Sequence, residues 1–336
     1  MVEKNNVIFP LVYIIVLCNN SKKWLDLCIS SLLKTKYNNY KILLVDNHST
    51  DGSVEEIETR YTQIQVVRNK KNEGWCKGNN IGIEKAKLEG AEYIVFLNSD
   101  IKAEQEEWLL NLVEFALKNS KYEIYGCTQY EYESQGWCEL NSWTKYILFN
   151  GNRNVFFMWD SSYKEDENTK VYTEDDINKN EFLDCYFVQG AAMMVRTKLI
   201  ERIGMFDEIY YIFYDELDFC RCARLVGSET ALVTNSKIKH VGSGDNSSNK
   251  KTQKKRNFYF SRNKYIFLFT DVERSIFTML KIALRLFNHD IKDSIGKKQD
   301  VSSVLQLLQI ITSLIFKSPQ ILRKRLNLKK IINNKN

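Results

Sequence analysis

The feature that most constrains this chain is a regular exchange, across residues 11–117, of short apolar runs with segments of helical spacing. Residues 11–17, 42–45, 64–67 and 93–97 are apolar-rich runs of strand length. Between and after them, residues 22–33, 51–60, 80–88 and 105–117 repeat apolar side chains every three or four positions, as Leu25, Cys28, Ile29, Leu32 and Leu33 illustrate. Strands alternating with helices predict an α/β domain with a mainly parallel sheet covered on both faces. Sites in such sheets lie beyond the carboxyl ends of the strands, so the polar clusters at strand ends are the places to search. Only Pro10 and Pro319 interrupt the chain, and long regular elements are expected.

Further along, residues 191–195 read as a strand and 196–203 as a helix. A second helix over 215–225 has Gly227 as its stop signal. Residues 124–180 are rich in Tyr, Trp, Asn and acids without a clean period; they read either as an acceptor-binding wall or as a variable insertion. After Arg256 the chain turns aromatic and then helical. Residues 275–287 and 304–316 carry wide apolar faces; the second, broken by Gln306, Gln309, Thr312 and Ser313, reads as too polar and too short to span a bilayer. The expected division is a catalytic domain over 1–270 and a basic amphipathic helical tail over 271–336.

Charge separates the same two parts. The formal net charge is +6, yet residues 271–336 hold 13 Lys/Arg against 5 Asp/Glu, so the body is near neutral. A neutral body argues against nucleic acid as partner and gives the tail a partner of its own. Arg323, Lys324, Arg325, Lys329 and Lys330 beside apolar helix faces suit an anionic membrane surface. Packing of those helices on the body or on a second subunit, giving a homo-oligomer, is the other reading. The eight cysteines show no CxxC spacing, and residues 11–18 lack the flanks of a secretory leader. A cytoplasmic protein with reduced thiols, peripheral on the inner face of the cell membrane, is expected.

Five polar clusters can carry chemistry. Asp46 and Asn47 end a strand in VDNHSTDGS, where a carboxylate accepts hydrogen bonds from a nucleobase or ribose; a capped turn is the structural reading. NEGWCKGNN, residues 72–80, reads as a tight loop before a helix N-terminus that favours anions. In FLNSD, Asn98 and Asp100 point to one side of an extended chain and suit a hard cation such as Mg²⁺ or Mn²⁺, or else an Asx turn. Asp215, Glu216 and Asp218 in YDELDFC crowd three carboxylates at a helix start, beyond what the helix dipole requires. His240, in KHVGSGDNSS, can complete a metal site with Asp100.

Taken in order, CNN, VDNxSxDGS, NxGxxxGNNxGI, FLNSD, QGAAMMVR with IGMFDE, YDELDFCRCAR, the histidine loop and FYFSRNKYIF make a series. It resembles the inverting family 2 glycosyltransferases of GT-A fold, especially the bacterial rhamnosyltransferase-like group, across residues 11–269. The resemblance implies a mixed, mainly parallel Rossmann-like sheet with C-terminal amphipathic helices. It implies transfer of rhamnose or a hexose from a dTDP- or UDP-linked donor to a saccharide acceptor, lipid-linked where the membrane carries it, in cell-surface polysaccharide synthesis. By position, Asp46 would read the base, Asn19 and Asn79 line the nucleotide pocket, and Asn98 and Asp100 stand at the metal-binding acidic motif, with His240 assisting. Gly190 and Ala191 would pass beneath the donor sugar, and Arg262 with Asn263 would lie near the nucleotide. Glu216 takes the place of the base, with Asp215 and Asp218 beside it. The sequence departs from the family pattern at Asn98 and at Glu216, where aspartates are usual. A catalytically silent sugar-nucleotide-binding subunit is the alternative those departures favour. A sugar-1-phosphate nucleotidyltransferase would need a glycine-rich N-terminal loop that LCNNSKKW lacks.

Overall fold

The computed structural model describes residues 9–133, 139–150, 171–241, 250–296 and 301–333. Strand β1 (Val12–Cys18) shows how the sheet is set. Its residues are buried on both faces, as expected of a central parallel strand. Side-chain alternation sorts them: Tyr13 and Ile15 enter one core, while Val12, Ile14 and Val16 enter the other. β1 pairs in parallel with β2 (Tyr40–Asp46) and with β4 (Tyr93–Asn98), and β3 (Gln65–Arg68) extends β2.

Beyond β4 the sheet is mixed. β8 (Ala192–Arg196) runs antiparallel to both β4 and β6 (Tyr122–Glu131). β9 (Glu229–His240) lies parallel to β6 and pairs antiparallel with β5 (Ile101–Lys102) and β7 (Phe182–Cys185). The strand order is β3-β2-β1-β4-β8-β6-β9-β5, with β7 beside β9. Thus β1, β2 and β4 end side by side, and the sheet delivers Cys18, Asp46 and Asn98 to one edge.

Helices α1 (Leu25–Leu32), α2 (Ser53–Arg60), α3 (Gly74–Leu88) and α4 (Trp108–Lys118) connect the first strands. Residues 72–80, expected to form a loop, are mostly the first turns of α3. Gly74, at φ +85°, makes the turn into it. Gly78 and Gly82 serve packing instead: a Cβ on Gly78 would lie 2.6 Å from the Leu17 side chain, and one on Gly82 2.8 Å from Ile15. In the loosely patterned region, the described residues include β6, α5 (Ser142–Asn150), α6 (Glu174–Lys179) and β7; residues 134–138 and 151–170 lie outside them. Next come α7 (Thr197–Ile203) and α8 (Asp215–Leu225), after which Gly227 adopts φ +83°. The seven cysteines among the described residues are free and buried.

Three long helices complete the chain: α9 (Lys250–Phe269), α10 (Ile276–Gly296) and α11 (Val301–Asn333). Met279, Ile282 and Leu286 of α10, with Ile310 and Ile321 of α11, join the core beneath Tyr13 and Ile15. The expectation of a short C-terminal helix is corrected here. α11 runs for 33 residues, and among the described residues it is the one helix long and apolar enough to cross a membrane. The polar residues at 306, 309, 312 and 313 did not end it, because helix interiors accept glutamine readily and threonine and serine at small cost. A second correction concerns the basic cluster. Lys324 turns inward to Asp218 and Asp207 at 2.6 and 2.7 Å, and Arg325 donates to the Arg274 carbonyl, so these two cations are not available to a surface.

Candidate active site

The loops after β1, β2 and β4 meet residues 211–216 and the first turns of α9 around a cavity of about 330 Å³. Asn19 follows β1 and lines it, its amide donating to the carbonyls of Asn47 and His48 at 2.9 and 3.2 Å. Asn98 ends β4; its Oδ1 accepts the Trp75 indole N–H at 3.3 Å. Asp100 and His240 face each other across the β5–β9 pairing, with Asp100 Oδ1 3.3 Å from His240 Nε2. Gly190 and Ala191 form the approach to β8. A Cβ on Gly190 would meet the Trp75 ring at 2.8 Å, so glycine keeps this part of the cavity open. Asp215 and Glu216, in the first turn of α8, complete the lining.

The remaining expected residues stand behind the cavity. Asp46 is buried: one carboxylate oxygen accepts the Ser49 backbone N–H at 2.7 Å and the other Arg68 at 3.2 Å. It fixes the turn that presents Asn47. Asn79 donates to the Trp75 carbonyl at 3.0 Å. Asp218 lies on the far side of α8, held by Lys324, Arg221 and the Tyr210 hydroxyl. Arg262 donates to the Asn263 side-chain oxygen, and both residues also donate to backbone. Arg262 reaches the carbonyls of Ile209 and Tyr210, while the Asn263 amide reaches those of Tyr210, Ile212 and Phe213 at 2.7–2.9 Å. They brace a segment in which Tyr211, Phe213 and Tyr214 all have φ of 66–69°. Each such residue costs on the order of 1 kcal/mol or more without glycine. The segment is therefore held in shape by α9, and it forms one wall of the cavity. Of the KHVGSGDNSS stretch, residues 242–248 lie outside the described residues.

Electrostatics divide the cavity. Burial pushes the Glu216 carboxyl up to about 7. Burial, followed by the neighbouring Glu216 charge, holds Asp215 well above the carboxylate range. One carboxyl is thus poised to exchange a proton near neutrality, and its neighbour holds a proton far more tightly than a free carboxyl does. At the other end, the His240 tautomer follows from its neighbours. Gln129 Oε1 accepts from Asn141 at 3.1 Å and lies 2.8 Å from His240 Nδ1, so Nδ1 carries a hydrogen. Nε2 then turns toward the Asp100 carboxylate, an arrangement that either a protonated imidazole or a cation held by both groups would satisfy. Their 3.3 Å separation is close to the ~3 Å between adjacent ligands of an octahedral Mg²⁺-sized ion. Among the described residues, no three His, Cys, Asp or Glu groups converge on one point.

Several lining residues escaped the sequence reading. Trp75 packs under Gly190 and edge-on to Phe206 at 4.8 Å. Gln189 is buried at the cavity with its Oε1 unpaired. Lys255, Arg256 and Tyr259 bring α9 to the rim, where Tyr259 stacks on Tyr211 at 4.6 Å and Lys255 donates to the Tyr211 hydroxyl at 2.9 Å. The run KKRNFYF was the available signal for these, and QGAAMMVR contained Gln189.

Comparison with known proteins bears on this geometry. The family described as Glycosyl transferase family 2 has a model that matches residues 13–204. An uncharacterised glycosyltransferase of Haemophilus influenzae is 29% identical over 120 residues, 35% of this chain and 36% of that one. The putative teichuronic acid biosynthesis glycosyltransferase TuaG of Bacillus subtilis is 28% identical over 114 residues, 33% of this chain and 44% of that one. The matched part thus spans less than half the length of these relatives. Among solved structures, GalNAc-T7 with UDP, GalNAc and Mn²⁺ superposes with a TM-score of 0.56 at 15% identity, covering 78% of this chain and 48% of that one. The likeness establishes the fold as GT-A.

Proposed function

This chain belongs to glycosyl transferase family 2, and from that premise we propose that it transfers a sugar, rhamnose or a hexose, from a dTDP- or UDP-linked donor to a saccharide acceptor, with inversion, in cell-surface polysaccharide synthesis. The observation that carries this reading is the placement of Glu216 and the Asp100–His240 pair on one cavity. A proton acceptor stands at one part of it and a cation-seeking pair at another. The relationship to TuaG, whose name refers to teichuronic acid biosynthesis, supports the cell-surface polymer.

In the proposed reaction Glu216, ionised, takes the proton of an acceptor hydroxyl. A carboxyl held near 7 is well matched to that task at neutral pH. The acceptor oxygen then bonds to the anomeric carbon from the side opposite the diphosphate. The bond to the leaving oxygen breaks with its electron pair, and one such displacement inverts the anomeric centre. Asp215, its carboxyl held well above the usual carboxylate range by burial and by the Glu216 charge, stands beside that base as a second buried acid. Asp100 and His240 would hold a divalent cation, Mg²⁺ or Mn²⁺, whose chemistry is to neutralise charge developing on the diphosphate. The Mn²⁺ and UDP in the GalNAc-T7 structure support that assignment in general terms. Lys255 and Arg256 at the rim add positive charge that this chain supplies itself. Asn98, in place of an acid, leaves the metal site with one carboxylate. The acceptor is proposed to be lipid-linked, with the 1–270 domain catalytic and the 271–336 tail holding it near the inner face of the cell membrane.

A thermal-shift screen tests the donor half. Uridine or thymidine diphosphate with Mn²⁺ at about 100 times Kd should stabilise the protein by roughly 2.7 kcal/mol. Asp100→Asn should abolish the Mn²⁺-dependent part. A protein that no uridine or thymidine nucleotide stabilises would contradict the proposal.

A further inference from the structure

Helices α10 and α11 each carry two apolar faces, and only one is covered. The covered faces are those that reach the core. On α11 the uncovered set includes Leu305, Leu308, Ile315, Phe316, Leu322 and Leu326, with Phe316 78% exposed. At 100° per residue these fall within one arc about 120° wide, opposite the buried Ile310, Ile321 and Leu328. α10 repeats the arrangement: Phe277, at 80% exposure, Leu280 and Leu284 lie opposite Met279, Ile282 and Leu286. The two helices pack on one another and on the body, so their free stripes lie on the side away from it.

Charge identifies the occupant. α11 contains six Lys/Arg and no Asp or Glu in its 33 residues. Lys324 and Arg325 turn inward, leaving Arg323, Lys329 and Lys330 exposed beside the apolar stripe. Two copies joined through this face would set cations of one sign together. A bilayer with anionic headgroups satisfies both features, since acyl chains cover the leucines and phenylalanines and phosphates meet the cations. We propose that the outer face of α10 and α11 is an interfacial docking surface for an anionic lipid membrane, on which α11 lies rather than spans. A spanning α11 would have to abandon the pairing of Lys324 with Asp218 and Asp207 and withdraw Ile310 and Ile321 from the core. This deepens the proposed location of the enzyme, yet lipid binding and sugar transfer can fail separately because they use different residues.

The test is co-flotation of the full chain with phosphatidylglycerol or phosphatidylcholine vesicles, without donor. The expected result is binding at least tenfold tighter to phosphatidylglycerol, weakened by high salt and released by carbonate washing. Arg323→Gln/Lys329→Gln/Lys330→Gln should lose on the order of 100-fold, at about fivefold for each cation. Phe277→Gln/Phe316→Gln should lose binding while circular dichroism and donor-dependent stabilisation remain those of the parent. Equal binding to both lipids, no binding, resistance to carbonate, or a stable dimer by light scattering that loses the apolar variants would each overturn the proposal.

Discussion

Lys324→Met offers the sharpest test of how the C-terminal helix supports the catalytic body. The ammonium contacts Asp218 at 2.6 Å and Asp207 at 2.7 Å, with side chains 13%, 5% and 32% exposed respectively. Methionine keeps the apolar stem but leaves Asp218 buried with Arg221 and Tyr210 alone. Breaking a buried pair costs about 3–5 kcal/mol when the survivor is uncompensated. Because Arg221 remains on the other oxygen, about 3 kcal/mol is expected, or a fall of roughly 4 °C in Tm for a chain of this size. Burial pushes Asp218 up, but Lys324 and Arg221 outweigh it and hold the carboxyl below its ordinary value. The stability this supplies is present above the unfolded carboxyl's value near 3.9 and is lost only as pH falls through the lower folded one. The gap between parent and variant should therefore stay constant from pH 8 to 5 in scanning calorimetry. Asp218→Leu alone strands both Lys324 and Arg221, so the double variant Lys324→Met/Asp218→Leu should lose clearly less than the two single losses added together, though it stays below the parent because Arg221 remains buried without its carboxylate. A double variant whose loss equals the sum of the single losses would refute the pairing.

Four further outcomes follow from the cavity and its wall. The value of kcat/KM should rise about tenfold per pH unit below 7 and level off above it, following the Glu216 carboxylate, and Glu216→Gln should remove that limb. The same group is held above its unfolded value, so its stabilising contribution is lost as pH rises through about 7; Glu216→Gln should then melt higher than the parent at pH 8 but not at pH 4. Gly190→Ala places a Cβ 2.8 Å from the Trp75 ring; repacking of about 1–3 kcal/mol and at least a tenfold fall in kcat are expected in melts and steady-state kinetics. Asn263→Ala frees the carbonyls of Ile212 and Phe213 and leaves that of Tyr210 to Arg262 alone, and limited proteolysis should cut near residues 209–214 far faster than in the parent.

The parallel half of the fold was legible because the apolar runs of β1, β2 and β4 are buried on both faces, while β3 is half-buried at the sheet edge, and each helix repeats its contacts locally. Leu25, Cys28, Ile29 and Leu32 follow the 3.6 period of α1, and all are buried. The extent of α3 was not legible: Gly78 and Gly82 resemble loop residues until the side chains of Leu17 and Ile15 are set against them. Among the cavity-lining residues, Asn98, Asp100, Glu216 and His240 stood out because strand ends and helix starts converge in this topology, whereas Gly190 stood out only through the family resemblance. Asp218, Arg262 and Asn263 read as site residues because the sequence shows their chemistry but not their partners. Those partners lie 106 residues away for Asp218 and Lys324, and about 50 away for Asn263 and the carbonyls it braces. Lys324 was misread for the same reason, since its surroundings in sequence are those of an exposed basic cluster.

The central claim is that this cavity breaks a nucleoside-diphosphate sugar with Glu216 as base. The most direct measurement is release of nucleoside diphosphate from a panel of dTDP- and UDP-sugars by the pure protein with Mn²⁺. Release by the parent, reduced at least 100-fold in Glu216→Gln while thermal shifts show donor still bound, is the expected result. Donor binding with no release by the parent, or equal release by Glu216→Gln, would contradict it and favour a silent sugar-nucleotide-binding subunit.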